Sequence, residues 1–147
     1  MNLAIRPLDG PTDWPWINSI LPLTQVEDTS GLIGFDTDTS ERVAACILDN
    51  WTYNAVQGHI LIQAPSAVKH GFLEACADFI FNYSGRDALY AMVAANNKRA
   101  LKLDKHLGFT EVFRMPEGFD KGIDYIVMQL LKENCWMLNE TKVAQNG

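Results

Sequence analysis

Apolar and polar residues alternate from Leu3 to Leu8, the pattern of a strand with one buried face. A turn with helix-start chemistry, Asp9-Gly10-Pro11-Thr12-Asp13, then leads into a helix over Trp14 to Leu21. Pro15 is expected in its first turn, where a missing N–H does no harm. Residues 22 to 31 mix Pro, Thr, Gln, Glu, Asp, Ser and Gly and read as a loop or irregular helix. Leu32 to Phe35 is a short strand, Asp36 to Glu41 a polar turn, and the apolar run Val43 to Leu48 a central strand. Asp49 to Asn54 follows as a turn or strand extension. His59 to Gln63 is another strand, stopped at Pro65.

Helical periodicity is strongest in the middle of the chain. Val68, Phe72, Ala75, Cys76, Phe79, Ile80 and Tyr83 fall on one apolar face of a single long helix. Ser84-Gly85-Arg86-Asp87 ends it, and Ala88 to Val93 is the next strand. A short helix follows from Asn97, whose side chain can accept from exposed helix N–H groups. Leu103 and Leu107 stand one above the other at i, i+4, and Gly108 supplies the left-handed residue that ends the helix. Thr110 to Met115 and Asp124 to Leu131 are two strands joined by the glycine-containing connection Pro116 to Gly122. The polar residues from about Asn139 are expected to fray.

This order predicts one domain over residues 1–138 with a flexible tail at 139–147. Its class is α/β (α+β): a mixed, mostly antiparallel central sheet with helices on both faces. The 147 residues are enough to bury a core without staples. A formal net charge of −6 argues against a nucleic-acid binder and is compatible with a cationic substrate or a basic partner. No apolar run approaches a bilayer span, so no membrane association is expected. The N-terminus has no signal-peptide pattern, and a cytoplasmic setting is expected. Cys46, Cys76 and Cys135 read as buried thiols, and His59, His70 and His106 lack metal-type pairing, so no metal is expected.

The segment from Val93 to Phe109 resembles the last third of the GNAT acyltransferases, in which a strand runs into an N-x-x-A helix closed by L-G-F. Asn97, Ala100, Leu107, Gly108 and Phe109 carry the match. The element order of residues 3 to about 132 extends it. Asp49-Asn50-Trp51-Thr52-Tyr53-Asn54, His70-Gly71-Phe72-Leu73 and Lys105-His106-Leu107-Gly108-Phe109 are most similar to GNAT-like proteins encoded by tailed bacteriophages.

The resemblance implies acetyl-CoA as co-substrate and an amine, on a small molecule or a protein, as acceptor. It implies coenzyme contacts from strand residues Ile60, Leu61 and Ile62, whose backbone N–H groups are the oxyanion donors. Ser66, Lys69, His70 and Gly71 stand where the family holds the pyrophosphate at a helix N-terminus. Only Gly71 remains of that loop's two glycines, and Lys69 replaces the other. Asn97 and Arg99 lie on the helix nearest the coenzyme in the family.

His59 is the candidate base. Asp104 occupies the family's tyrosine position, the acid that protonates the departing thiolate. An aspartic acid, ordinarily near pKa 3.9, needs about 4 kcal/mol of desolvation or like-charge repulsion to stay protonated at neutral pH. Tyr90 and Tyr125 are the other groups able to supply that proton. Glu27 and Asp28 lie in the loop that shapes the acceptor site and could hold a cationic amine.

Two readings stay open. One is an N-acetyltransferase, phage-encoded and acting in the host cytoplasm. The other is a catalytically silent GNAT-fold protein that binds a phage or host protein, with virion association. The chain is expected to be a monomer or homodimer, since an exposed edge on the terminal hairpin would permit pairing.

Overall fold

The computed structural model describes residues 1–138; the tail expected from Asn139 lies outside the described residues. Seven strands form one sheet in the order β1-β2-β3-β4-β5-β7-β6. They are β1 (Leu3–Pro7), β2 (Ser30–Asp36), β3 (Arg42–Asp49), β4 (Ala55–Ile62), β5 (Ala88–Ala94), β6 (Thr110–Asp120) and β7 (Ile123–Leu131). The helices are α1 (Gly10–Asn18), α2 (Ser66–Lys69), α3 (Phe72–Ala77), which runs on as a π-helical turn over Asp78–Tyr83, and α4 (Lys98–Leu107). The mixed α+β architecture expected from the sequence is the one observed, and all pairings within β1–β4 and within β5–β7–β6 are antiparallel. By contacts the chain divides into two compact units: Met1–Trp51 with Gln57–Cys76, and Thr52–Val56 with the chain from Ala77 onward.

In the first unit, alternate residues of β2, β3 and β4 send Ile33, Ala45, Ile47 and Leu61 to one face, where Ile17 of α1 completes a buried cluster. Trp14 and Trp16 pack against its edge. Cys46 points to the other face and meets Cys76 of α3, a buried pair of thiols. Helices therefore cover both faces of this part of the sheet.

Helix α1 starts four residues earlier than predicted, at Gly10, which places Pro15 inside the helix rather than in its first turn. The anchor that moves it is Asp13, fully buried, which accepts from the Asp9 N–H (2.8 Å), from two Arg6 nitrogens (2.6 and 2.7 Å) and from Arg42 Nε (2.8 Å). That ion pair ties α1 to β1 and β3.

The single long helix expected over Val68–Tyr83 is broken. His70 closes α2, and Gly71 adopts φ +92°, a left-handed geometry that glycine reaches without a Cβ clash. The buried face then runs through Phe72, Leu73, Cys76, Ala77, Ile80 and Phe81, two adjacent i, i+4 rows, while Val68 and Tyr83 are exposed.

In the second unit β7 is central. Ile126, Met128 and Leu130 are buried on one face, and Gly108, the left-handed C-cap of α4 at φ +106°, lies against Leu130. The predicted Pro116–Gly122 connection is mostly strand: β6 continues to Asp120. Asp124 accepts from the Glu117 N–H, and Glu117 accepts from the Gly122 N–H, so side chains close the tip. Pro116 is tolerated because β6 is the last strand of the sheet.

Candidate active site

Strand β4 begins at Ala55, four residues earlier than expected, so His59 is its fifth residue and not its start. Ile47 faces His59 and Asp49 faces Gln57 in the antiparallel β3–β4 ladder. Residues two apart share a face, which makes Asp49 and His59 diagonal neighbours. His59 Nε2 lies 3.1 Å from Asp49 Oδ2 and 3.3 Å from Oδ1. A carboxylate only accepts, so Nε2 carries the hydrogen in this pair and the ring's lone pair is left on Nδ1. The Asp49 side chain is 10% exposed and that of His59 20%. This is the arrangement in which a carboxylate orients an imidazole and fixes which ring nitrogen carries the hydrogen.

The same corner holds the acceptor-loop candidates. Asp28 accepts from the N–H groups of Asn50 (3.2 Å) and Trp51 (2.9 Å), and Asn50 donates to Asp49 Oδ1 (3.3 Å) and to Gln57 Oε1 (2.8 Å). Both Asp28 oxygens are thus committed to the backbone, and its visible role is to fasten the 22–29 loop beside Asp49. Glu27, next to it, is exposed. Asp49 was missing from the sequence-derived candidates. It closes an apolar run, but nothing local says that it meets His59; only the strand register does.

The coenzyme candidates are placed unevenly. Ile60 is 41% exposed, whereas the Leu61 side chain belongs to the buried cluster and can offer only backbone. Ile62 lies opposite Ala44 at the end of the ladder. In the Ser66–Gly71 loop the N–H groups of Ala67, Val68, His70 and Gly71 donate to the carbonyls of Ala64, Pro65, Ser66 and Val68. His70 Nδ1 also sits 2.7 Å from the Ser66 carbonyl, and the Ser66 hydroxyl is 3.7 Å from Met1 Sδ. Lys69 is exposed. Just beyond, Glu74 carries a buried Oε2 with no hydrogen-bond partner in the first turn of α3. A carboxylate there takes the place at a helix start that favours an anion, and would repel a diphosphate.

On α4, Asn97 Oδ1 accepts from the Ala100 N–H at 3.1 Å and caps the helix. Arg99 is exposed, and Lys98, Leu101, Lys102 and Lys105 line an open groove of about 300 Å³. The helix sits differently from the i, i+4 expectation: Leu107 is buried but Leu103 is 43% exposed. The inward stripe is Ala100, Leu101, Asp104 and Leu107, so a carboxylate points in where a leucine points out.

Asp104 is half-buried, and its carboxyl group makes no hydrogen bond or ion pair among the described residues; desolvation raises its pKa to about 6. Tyr90 and Tyr125 lie on the face of β5–β7 opposite Leu130 and α4, because β7 alternates; the Tyr90 hydroxyl accepts from Gln129 Nε2 at 2.7 Å. No group of three His, Cys, Asp or Glu among the described residues could hold a metal ion, and no helix among them is long and apolar enough to cross a membrane.

No family model and no curated protein sequence matches the chain. Its fold is similar to that of solved spermidine N-acetyltransferases of the GNAT superfamily. The spermidine/spermine N-acetyltransferase of Vibrio cholerae in complex with manganese ions superposes with a TM-score of 0.75 at 17% identity, over 89% of this chain and 93% of that one. The V. cholerae spermidine N-acetyltransferase bound to CoA and spermine gives 0.72 at 17%, over 90% and 96%. A dodecameric structure of the V. cholerae enzyme in an intermediate state gives 0.71 at 19%, over 89% and 94%. The chain has the GNAT fold.

Proposed function

We propose that this protein is an N-acetyltransferase that moves the acetyl group of acetyl-CoA to a cationic amine, with a polyamine as the first acceptor to try. The Asp49–His59 pair, fastened beside the Asp28 loop, carries the reading. Exposed Glu27 and the acidic corner favour an ammonium. His59 Nδ1 takes the proton of the bound amine, whose nitrogen then attacks the thioester carbonyl carbon. The oxyanion is met by backbone N–H groups of β4 at Ile60 to Ile62. When the tetrahedral intermediate collapses, the nitrogen gives up its second proton to solvent, the C–S bond breaks and the thiolate is protonated, a role that the resemblance to the family gives to Asp104. Similarity to polyamine acetyltransferases, one of them holding CoA and spermine, supports the choice of substrates.

An Asp104 pKa of about 6 gives this reading a test. Its folded value is raised above the ordinary one, so the fold prefers the protonated carboxyl, and this group's contribution to stability falls as pH rises through about 6. Asp104→Asn is expected to stabilise the fold at pH 8 by about 1–2 kcal/mol, after discounting for partial exposure, and to be nearly neutral at pH 4. Thermal melts at the two pH values check it; equal shifts at both would refute the buried carboxylate.

A second reading, a silent protein-binding module of the kind tailed phages encode, is favoured by the internally bonded Ser66–Gly71 loop and by Glu74. Calorimetry with acetyl-CoA, against CoA and ATP, decides. The transferase reading expects micromolar binding of the coenzyme and not ATP, tightened by about tenfold in Glu74→Gln as a like charge is removed. No heat from either protein at millimolar coenzyme would leave the silent module.

A further inference from the structure

Asn50 stands where β3 ends, and its backbone explains how its side chain reaches Asp49. Successive strand residues point to opposite faces, so an extended residue after Asp49 would turn its side chain away. Asn50 instead takes φ +51°, the left-handed region that asparagine enters more readily than most residues with a Cβ. Its amide then lies 3.3 Å from Asp49 Oδ1 and 2.8 Å from Oε1 of Gln57, the residue directly across the ladder from Asp49. A carboxylate only accepts, so the amide atom facing Asp49 is the NH2 group, and its two hydrogens serve the two acceptors.

The Asp49 carboxylate is thereby held from two sides. His59 Nε2 is nearer to Oδ2 (3.1 Å) than to Oδ1 (3.3 Å), and Oδ1 is the oxygen that Asn50 takes. A carboxylate with one partner swings about its Cβ–Cγ bond; a second donor on Oδ1 keeps Oδ2 on the imidazole. Asn50 is itself anchored twice, through Gln57 and through its own N–H, which Asp28 Oδ1 accepts at 3.2 Å.

We propose that Asn50 is a positioning residue: it acts through Asp49 to keep the His59 Nε2–H bond in place and the Nδ1 lone pair turned to the amine. Position 50 makes two demands, a left-handed backbone and a hydrogen-bond donor, and asparagine meets both. Glycine meets only the first. Asn50→Gly therefore keeps the turn and the N–H to Asp28 and removes the side-chain amide alone. The catalytic consequence rests on the transferase reading; the hold on His59 does not.

Asn50→Gly is expected to lower kcat for acetyl transfer to spermidine about tenfold while KM for spermidine stays within about twofold, because the loop fastened by Asp28 is untouched. In the Asp49→Asn background the same change is expected to cost less than about twofold, since a residue that acts through Asp49 then has nothing to act on. Gln57→Met removes the acceptor that anchors the amide and leaves the left-handed turn alone; it is expected to lower kcat about threefold and carries the test where Asn50→Gly does not fold. Exchange of the His59 Nε2–H with water, read by NMR, needs no turnover and is expected to speed about tenfold in either variant. An active enzyme whose kcat is unchanged in the folded variants, a loss that falls on KM, losses that multiply in the double variant, or unchanged exchange overturns the proposal. A wild type without transferase activity would refute the proposed function instead, and the exchange rate would then decide the positioning role by itself.

Discussion

His59→Ala is expected to lower kcat/KM for acetyl transfer to spermidine by about 10²- to 10⁴-fold, the usual range for loss of a positioned general base. The loss should fall mainly on kcat, since the imidazole acts on the proton of an amine already bound. Asp49→Asn separates orientation from mere presence. An amide at that position can donate to Nε2 and turn the ring's lone pair away from Nδ1, so activity should drop although His59 remains. Steady-state kinetics on both variants, with circular dichroism to confirm folding, is the measurement. Retention of activity within about threefold in folded His59→Ala would remove the imidazole from the chemistry, and with it the main support for a transferase.

Asp13→Asn is expected to be the most destabilising single change outside the hydrophobic core. Burial pushes the Asp13 carboxyl up, but the Arg6 hydrogen bonds, the Asp9 N–H and Arg42 outweigh it and hold the group well below the usual carboxylate range. Asparagine leaves two guanidiniums facing one neutral amide. Breaking a buried ion pair typically costs 3–5 kcal/mol; Arg6 and Arg42 remain 35% and 31% exposed, so about 3 kcal/mol is expected. That corresponds to a fall in Tm of about 6–12 °C in a chain of this size.

The pH sign follows from the depressed folded value. The contribution is present above the ordinary carboxylate pKa near 3.9 and is lost as pH falls below it, so wild type and variant should converge in acid melts. A Tm loss under 2 °C at pH 7 would show the pair to be dispensable.

Much of this architecture was legible in the residues because it is set locally. Asn97 and Gly108 bracket α4 as cap and stop, since each acts on backbone groups within one turn of itself. The apolar run at Val43–Leu48 gave β3 because a strand covered on both faces has few polar positions. The helix over Val68–Tyr83 was misjudged for a reason equally local but weaker: spacing marked an apolar face, yet the left-handed turn at Gly71 divides it and shifts the buried rows to Leu73, Ala77 and Phe81.

What the sequence by itself determined is the order of elements, the GNAT-type segment from Asn97 to Phe109 and the candidates His59 and Asp104, because caps, turns and periodicities act over a few residues. Only the tertiary structure decided their surroundings. Strand register, a contact between residues ten apart, brought Asp49 to His59. The rotation of α4 set Asp104 inward and Leu103 outward, and desolvation there raised the pKa of the carboxyl to about 6. Burial and pairing depend on which surfaces meet, and no local pattern carries that.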